Sequence, residues 1–337
     1  MRGRTKTLVL GAALVATAAA MAASCSPVLS DSPPEQAKIA FVPKIGGIPY
    51  FDAMNAGGMA AANRLGAKWL LRAPASVDPA AQTAILRQLI AERVDVIAVA
   101  PNDPAQLAPT IAEARAKGIH VLTTDTDAAG SQREVFVNQT TADGIGSALV
   151  DSLMKKTGGT GEYAIVSCGR AAANLNSWIE AEKTYAAQRY PQAKLVETVY
   201  ADEDTTTATK LAKEILNRHP KLTGMIGQCT TATPGIARAV RDQQRIGQVF
   251  TVGTGTPQTM KPYLVDGSCS MTVLWNVESL GYLTAWTAEQ LATGAPLRPK
   301  NNVSPELPAV RYDAATQTVL LGDPLLITQN NVDQFKY

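Results

Sequence analysis

The sequence predicts an α/β protein built from two doubly wound parallel sheets, each with helices on both faces. Three observations lead to this prediction. The chain of 337 residues is too long for one ordinary core. Short apolar runs alternate with helical segments, and the alternation starts again near the middle of the chain. This β-α-β-α order is typical of parallel sheets covered by helices.

The first half of the chain contains the first predicted sheet. Short apolar runs predict buried strands at residues 39–42, 69–71, 94–100 and 119–122. Helical segments begin at Pro49, Pro79 and Pro104, because proline is favoured in the first turn of a helix. Asp78 is the predicted N-cap of the second helix, and Gly118 ends the third.

The second half repeats this order. Strands are predicted at residues 163–167, 195–200, 225–227, 249–252 and 271–274. Helices are predicted at residues 176–189, 206–218, 234–241 and 257–265. The last part of the chain, residues 304–337, is less regular and contains one strand-like run at 318–321.

The N-terminus has the features of an export signal. Arg2, Arg4 and Lys6 form a basic start, and residues 8–23 form an apolar run that is short for a bilayer span. We therefore predict a signal peptide over residues 1–24.

Cys25 ends this apolar stretch and is the predicted site of lipid attachment. A Pro- and Ser-containing tether over residues 25–37 would then join the anchor to the folded part. Such a lipoprotein is held on the outer face of the cell membrane. Ala22 stands where processing sites of this kind usually have Leu, and plain secretion, for example into a periplasm, is the alternative.

The charge balance argues against a nucleic-acid partner. The formal net charge is +2, from 31 Lys and Arg against 29 Asp and Glu, and three of the basic residues lie in the predicted leader. The remainder has no excess of positive charge with which to bind phosphates.

Three cysteines remain after the leader: Cys168, Cys229 and Cys269. One disulfide is possible, and the sequence leaves its pairing open. The chain has no C-x-x-C motif and no Cys/His cluster, so we expect neither a metal nor a cofactor.

Polar side chains follow most of the predicted strands, at the edge where doubly wound sheets bind ligands. They are Lys44, Asp125, Asp127, Asn174, Asp202, Gln228, Thr254, Trp275 and Asn276, with the aromatic residues Tyr50, Phe51 and Trp178 nearby. A polyhydroxylated ligand needs such a mixture of donors, acceptors and flat rings. Strand-end Asp and Thr also cap helices, which is the alternative for Thr254, Asp202 and Asp127. Lys44 caps nothing.

Six segments carry a resemblance to a known family. They are residues 39–44, 121–127, 137–139, 176–178, 252–257 and 274–276. Through them, the chain from about Lys38 onward resembles the type I periplasmic binding proteins, and within these the autoinducer-2 and rhamnose binding proteins. The resemblance implies a monomeric, non-enzymatic protein that captures a small sugar or polyol for an ABC permease.

The resemblance also implies ligand contacts. Lys44 and Asp125 match residues that hold the ligand in the autoinducer-2 binders, and Asn138 lies in a matching segment. Those relatives have Asp-Gln where this chain has Asn174-Leu175, and Pro-Asp-Ala where it has residues 228–230. These departures argue against autoinducer-2 and for a different small sugar, deoxysugar or sugar alcohol.

In this family two lobes close about a hinge of three strands. We expect an N-lobe of residues 38–139 plus 275–305 and a C-lobe of residues 140–274 plus 306–337. The predicted crossings lie near Gln139, Thr272 and Pro305. Closure about such a hinge is a two-state motion that a ligand shifts by binding the closed form better.

Three other functions are weighed against this one. Asp125-Thr126-Asp127 resembles the Asp-x-Asp of haloacid-dehalogenase-type phosphatases, but Ala129 stands where that motif has Thr or Val. A repressor core of the same fold would carry a helix-turn-helix where this chain has an export signal. An autoinducer-2-like signal binder, or a sugar sensor that acts on a receptor, remains open.

Overall fold

The computed structural model describes Met1 and residues 36–337. The predicted signal peptide beyond Met1, Cys25 and most of the tether lie outside the described residues. Within the described part of the chain, no helix combines the length and the hydropathy needed to cross a membrane.

Fourteen strands are described in residues 36–337. They are β1 (Lys38–Val42), β2 (Lys68–Leu71), β3 (Val96–Val99), β4 (His120–Thr124), β5 (Val135–Asn138), β6 (Gly161–Ser167), β7 (Ala193–Tyr200), β8 (Leu222–Gly227), β9 (Phe250–Thr254), β10 (Met271–Leu274), β11 (Lys300–Asn301), β12 (Val310–Asp313), β13 (Thr318–Leu320) and β14 (Leu325–Ile327).

Nine α-helices alternate with these strands in the same part of the chain. They are α1 (Pro49–Leu65), α2 (Pro79–Ala91), α3 (Pro104–Ala116), α4 (Ala142–Thr157), α5 (Ala173–Arg189), α6 (Thr205–Arg218), α7 (Ala232–Asp242), α8 (Pro257–Val265) and α9 (Val277–Thr293).

The strands form two sheets, one in each lobe. The first sheet has the order β11-β12-β13-β5-β4-β3-β1-β2, and the second has the order β14-β10-β9-β8-β6-β7. The strands β1 to β5 pair in parallel, as do β6 to β10. Within residues 36–337, the antiparallel strand pairs lie at the margins of the sheets, where β11 pairs with β12, β12 with β13 and β14 with β10. The predicted fold class is confirmed.

The helix starts follow the predicted chemistry. Proline is the first residue of α1, α2, α3 and α8. Asp78 and Asp103 adopt extended backbone and accept hydrogen bonds from the first free N–H groups of α2 and α3. These caps fix where the two helices begin, after the loops that follow β2 and β3.

Two helices, α4 and α9, are absent from the sequence-based prediction. Glycines interrupt their apolar pattern, and glycine costs about 1 kcal/mol relative to alanine in a helix interior. Packing explains why α4 has glycine at position 146, because a Cβ on Gly146 would lie 2.9 Å from the Ala181 Cβ of α5. Tertiary contact therefore overrides helix propensity at this position.

The third crossing between the lobes differs from the prediction. The first follows β5 at Gln139, as predicted, and the second follows β10 at Trp275, near the predicted Thr272. The third lies between β13 and β14, at residues 321–324, and not near Pro305. The assignment of residues 306–323 to the second lobe is wrong, because β12 and β13 extend the first sheet beyond β5.

The helices α1 and α9 pack against each other through backbone. A Cβ on Gly57 would collide with the carbonyl group of Glu278, and one on Gly281 would collide with that of Met54. This close approach brings together the N-terminal ends of both helices, where Tyr50 follows the start of α1 and Trp275 precedes α9.

We expect Gly281→Ala to lower the free energy of unfolding by about 1–3 kcal/mol, because the new methyl group forces α1 and α9 apart. Urea denaturation followed by circular dichroism measures the change. Gly130→Ala is the matched control, since a Cβ there meets no atom within 4 Å. Equal stability of the two variants would contradict the proposed packing constraint.

Candidate ligand-binding site

The carboxyl ends of the parallel strands in the two sheets border one cleft, which encloses a cavity of about 30 Å³. The first lobe and the second crossing line it with Lys44, Ile48, Tyr50, Phe51, Asp125 and Trp275. The second lobe lines it with Asn174, Leu175, Trp178, Glu203, Gln228, Cys229, Thr230 and Thr254. Both lobes therefore contribute to a single site.

Three polar side chains join the lobes at this cavity. The Lys44 ammonium lies 3.0 Å from Asp125 Oδ2, and it donates to Asn174 Oδ1 at 3.0 Å. The Asn174 amide in turn donates to Asp125 Oδ2 at 3.4 Å. The side chains of Lys44 and Asp125 are each only 5% exposed. The result is a buried, mutually paired triad with one member from the second lobe.

Asp125 is held at the cavity by an unusual backbone conformation. Its φ is +62°, in the left-handed region that costs energy for a residue with a Cβ and is tolerated best by Asn and Asp. Tyr50 donates to Asp125 Oδ1 at 2.8 Å, and Thr126 donates to Oδ2 at 3.1 Å. Burial, and then the neighbouring Asp125 carboxylate, raise the pKa of Tyr50 well above its usual value. Tyr50 is therefore a permanent donor to Asp125.

The backbone of Lys44 is fixed by a buried amide network. Asn102 donates from its side chain to the Lys44 carbonyl at 2.9 Å. Gln82 donates to the carbonyls of Pro43 and Ala100, and its own carbonyl accepts from the Asn102 backbone. These bonds tie the loop after β1 to the loop after β3, which orients the lysine side chain into the cleft.

Aromatic rings form the apolar wall. The ring centroids of Tyr50 and Trp275 are 5.9 Å apart with perpendicular planes, and those of Trp178 and Trp275 are 5.8 Å apart at 69°. Phe51 extends the wall beside Tyr50, at 5.0 Å. Such edge-to-face contacts stabilise the rings against each other and leave ring faces available to a ligand.

A second carboxyl group, that of Glu203, lines the cavity from the loop after β7. Asp202 and Glu203 have φ values of +51° and +59°, so this loop is strained at two successive residues. Thr231 donates to Glu203 Oε2 at 2.8 Å. Burial raises the pKa of Glu203, whereas the Lys44 charge lowers it in part.

A disulfide between Cys168 and Cys229 supports this wall. It joins the loops that follow β6 and β8, and the Thr231 hydroxyl lies 3.2 Å from each sulfur atom. The sequence left the pairing open, and Cys269 is the free, buried cysteine of the three. The bond holds Thr231 where it can donate to Glu203.

Gln228 contributes differently from the other residues. It is fully buried at the end of β8, and its side-chain amide donates to the carboxyl group of Glu182 on α5. Burial raises the pKa of Glu182 to about 8, although the hydrogen bond from Gln228 and the charge of Lys183 lower it. Glu182 stands behind the cavity wall and not in it.

The structure brings nine of the predicted ligand residues to the cavity: Lys44, Tyr50, Phe51, Asp125, Asn174, Trp178, Gln228, Thr254 and Trp275. Thr254 does not cap α8, which begins after Thr256. Asn174, Gln228 and Thr254 place second-lobe groups opposite the charged pair of the first lobe.

Four predicted residues lie away from the cavity, and one of them, Asp202, is exposed. Asp127 forms a two-pronged ion pair with Arg133, with both contacts at 2.8 Å, and also accepts from Thr123. Asn276 is exposed and caps α9 by accepting from the Ser279 N–H. Asn138 ends β5, outside the cavity lining. Capping and ion pairing explain why strand-end position alone does not assign a ligand contact.

Asp127 also bears on the phosphatase alternative, since its carboxylate faces Arg133 and not Asp125. Among the described residues, the one group of three possible metal ligands is Cys168, Glu203 and Cys229, and two of these are joined as a disulfide. Asp125 and Asp127 therefore do not form the pair of converging carboxylates that the Asp-x-Asp motif predicts.

Sequence reasoning missed Ile48, Leu175, Glu203, Cys229 and Thr230, which line the cavity. Three of them directly follow predicted residues: Leu175 follows Asn174, Glu203 follows Asp202, and Cys229 follows Gln228. Glu203 was detectable in principle, because it lies between the strand-end Asp202 and Asp204, which caps α6. An acidic residue immediately before a capping Asp can therefore indicate a strand-end loop that lines a cavity.

We expect reduction of the Cys168–Cys229 disulfide to lower the free energy of unfolding by about 2–4 kcal/mol, because the bond closes a loop of 61 residues in the unfolded chain. Urea denaturation with and without dithiothreitol measures this. Cys269→Ala should respond to reductant like the parent protein, whereas the Cys168→Ser/Cys229→Ser double variant should not respond. A parent protein insensitive to reductant would argue against the bond.

Known proteins resemble this chain over most of its length. A model of the periplasmic binding protein domain matches residues 39–296. The D-allose-binding periplasmic protein of Escherichia coli (strain K12) is 27% identical over 266 residues, which are 75% of this chain and 84% of that protein.

Solved structures agree with this match. An ABC transporter solute binding protein from Clostridium phytofermentas with bound L-rhamnose is 27% identical, with a TM-score of 0.84 over 89% of this chain and 98% of that one. LsrB from Clostridium saccharobutylicum in complex with AI-2 also has a TM-score of 0.84, over 89% and 100%, but its 22% identity supports the fold alone. The two-lobed fold, the shared cleft and the family match together show that this chain belongs to the periplasmic binding protein family, whose members bind substrates outside the cytoplasm.

Proposed function

We propose that this protein captures a small neutral sugar, deoxysugar or sugar alcohol and delivers it to an ABC importer, without performing chemistry on it. The observation that carries the proposal is the triad of Lys44, Asp125 and Asn174. It places a cation, a carboxylate and an amide from both lobes within one hydrogen-bonded group. Vicinal hydroxyl groups, which donate and accept at once, fit such a group.

The apolar wall supports the same class of ligand. Tyr50, Trp178 and Trp275 present rings on the side of the cavity next to the polar triad. A sugar ring or a short polyol has C–H faces between its hydroxyl groups, and these pack on aromatic faces. A ligand with both kinds of surface is matched on both sides of the site.

Binding requires the cleft to open. The cavity of about 30 Å³ holds no more than a few water molecules, whereas a pentose or hexose is several times larger than one water molecule. In the closed cleft, Asn174 accepts a hydrogen bond from Lys44 and donates one to Asp125, so it joins the lobes directly. In the proposed cycle ligand hydroxyls replace these bonds, so that the ligand bridges the lobes and stabilises closure.

The relatives support a sugar more than another solute. One relative binds D-allose and one solved structure contains L-rhamnose, each at 27% identity. A third, from Burkholderia graminis, contains D-arabinose at 26% identity. These ligands differ in ring substituents and share adjacent hydroxyl groups, which the Lys44, Asp125 and Asn174 group would recognise.

The proposed location is the outer face of the cell membrane. The basic, apolar and small-residue order of residues 1–24, followed by Cys25, supports export with lipid attachment. An anchored receptor keeps captured sugar close to the permease that the proposal assigns to it.

The decisive test of ligand class is calorimetric titration against D-allose, L-rhamnose, D-arabinose, tetritols, pentitols and autoinducer-2. We expect binding to at least one sugar or polyol, and weaker or no binding of autoinducer-2. Lys44→Ala, Asp125→Ala and Asn174→Ala should each weaken the ligand that binds by roughly tenfold or more, because hydrogen bonds to charged groups contribute about 1.5–3 kcal/mol.

Asp202→Asn is the matched control for these variants. Asp202 is an exposed acid at the end of a strand of the second lobe and does not line the cavity, so its removal should leave the dissociation constant within about twofold. Failure of the whole panel to bind, or unchanged affinity in both Lys44→Ala and Asp125→Ala, would overturn the proposal.

Lipid attachment has a separate test. Cys25→Ala removes the only thiol at the predicted processing site, so the variant should move from the membrane fraction to the soluble extracytoplasmic fraction. Ser30→Ala, five residues later in the tether, should remain with the membrane. If Cys25→Ala fractionates like the parent protein, a lipid on this cysteine is not what holds the protein.

A further inference from the structure

Glu182 is a fully buried carboxyl group that does not touch the cavity. It lies within α5, is 0% exposed, and stands directly behind Gln228, which does line the cavity. A buried carboxylate is costly unless a charge or several hydrogen-bond donors compensate for lost water. Because Gln228 bonds to Glu182 and lines the cavity, the protonation state of Glu182 affects the ligand site.

The neighbours of Glu182 supply little that would stabilise a negative charge. From β8, Gln228 donates one hydrogen bond to Glu182 Oε1. The helix α4 presents Gly146, which has no side chain, against the backbone of Glu182. From β6, Tyr163 is the titratable neighbour, and burial and the proximity of Glu182 raise its pKa to about 12. On α5 itself, Lys183 is the nearby cation, and it is also bonded to Glu180.

Two oxygen atoms in this pair lack a donor. Within the described part of the chain, Glu182 Oε2 and Gln228 Oε1 are both buried and have no hydrogen-bond partner. Both are acceptors when Glu182 is ionised, so neither can satisfy the other. A single proton on Glu182 supplies the missing donor and satisfies both atoms. The acid and the amide then form two hydrogen bonds instead of one.

We propose that Glu182 is a neutral acid at physiological pH that donates its proton to Gln228 Oε1, and that this acid–amide pair sets the orientation in which Gln228 meets the ligand. Glu182 is then a positioning residue, and ionisation of Glu182 weakens ligand binding. The proposal rests on the proposed function, since it assumes that the ligand occupies the cavity beside Gln228. Burial of the carboxyl group, which raises its pKa to about 8, agrees with it.

The pH dependence follows from this assignment. Well below pH 8 most molecules carry the intact pair, and as pH rises through about 8 a growing fraction of the protein carries an ionised Glu182. If the ligand binds only the protonated form, the apparent dissociation constant rises as that fraction falls. Between pH 7 and pH 9 the increase is up to about tenfold.

The affinity test uses D-allose and L-rhamnose as probes, titrated into the full chain from pH 6 to pH 9.5. The parent protein should lose affinity above pH 8. Glu182→Gln cannot ionise, and its amide group can still donate a hydrogen bond to Gln228 Oε1 from the same place. Its affinity should therefore stay within about threefold of the parent value at pH 7 and should not change with pH. Glu180→Gln, an exposed glutamate on the same helix, should follow the parent profile. A pH-dependent Glu182→Gln, or a flat parent profile with bound ligand, would overturn the proposal.

A ligand-free measurement separates this proposal from the proposed function. Difference infrared spectroscopy of the parent protein against Glu182→Gln should show the C=O stretch of a protonated carboxyl group at pH 7 that disappears as pH rises through about 8. If no sugar binds but this band is present, the ligand assignment fails and the neutral acid stands. If a sugar binds but the band is absent at pH 7, the acid–amide pair fails alone.

The pH dependence of the free energy of unfolding gives an independent test. The pKa of Glu182 is raised from 4.5 in the unfolded chain to about 8 in the native protein, so the native state retains a proton that the unfolded state releases. This group therefore makes stability fall as pH rises from about 4.5 to 8. The parent protein should show this fall relative to Glu182→Gln, and parallel stability profiles of the two proteins would contradict a neutral Glu182.

Discussion

The ammonium group of Lys44 is buried where the two lobes meet, and the site around it depends on how that charge is satisfied. A buried charge is tolerated when it is paired and hydrogen-bonded, and removing one partner costs several kcal/mol. Asp125 supplies the pair within the first lobe, and Asn174 supplies a further acceptor from the second. The lysine therefore connects the stability of the first lobe to the closure of both.

The two lobes support this contact by different means. In the first lobe, side-chain amides of Asn102 and Gln82 fix the Lys44 backbone. The left-handed backbone conformation of Asp125 directs its own carboxylate into the cleft. In the second lobe, a disulfide and the Thr231 hydroxyl hold Glu203. The first lobe thus presents a rigid charged pair, and the second presents a wall that approaches it. A ligand that bonds to both replaces contacts which already exist between them.

Periodicity and cap chemistry were enough to predict the two parallel sheets and most helix starts. They failed where close packing requires glycine inside a helix. In α4 and α9, contact with α5 and α1 excludes a Cβ, and the resulting glycines obscure the helical pattern. The sheet edge formed by β12 and β13 was assigned to the wrong lobe, since short antiparallel strands carry no information about which sheet they join. A local sequence pattern predicts a strand or a helix more reliably than it predicts which element that strand or helix pairs with.

The candidate site could likewise be predicted only in part. Lys44 was predictable because a lysine after a buried strand has no capping role, and the cleft is where such strands end. Asp127 and Asn276 follow strands equally well, yet one pairs with Arg133 and the other caps α9. Strand-end position limits the candidates, and only the hydrogen-bond partner of each side chain separates a ligand contact from a structural one.

The charge count of the cavity argues for an uncharged ligand. Lys44 is already neutralised by Asp125 at 3.0 Å, and the further carboxyl group that lines the cavity, Glu203, has a pKa raised by burial. An anionic sugar acid or phosphate would meet no free cation in this lining and one additional acid, which costs binding energy in a site shielded from water. A neutral polyol needs only hydrogen-bond donors and acceptors. Gln228 can offer a fixed set of these only while Glu182, behind it, remains uncharged.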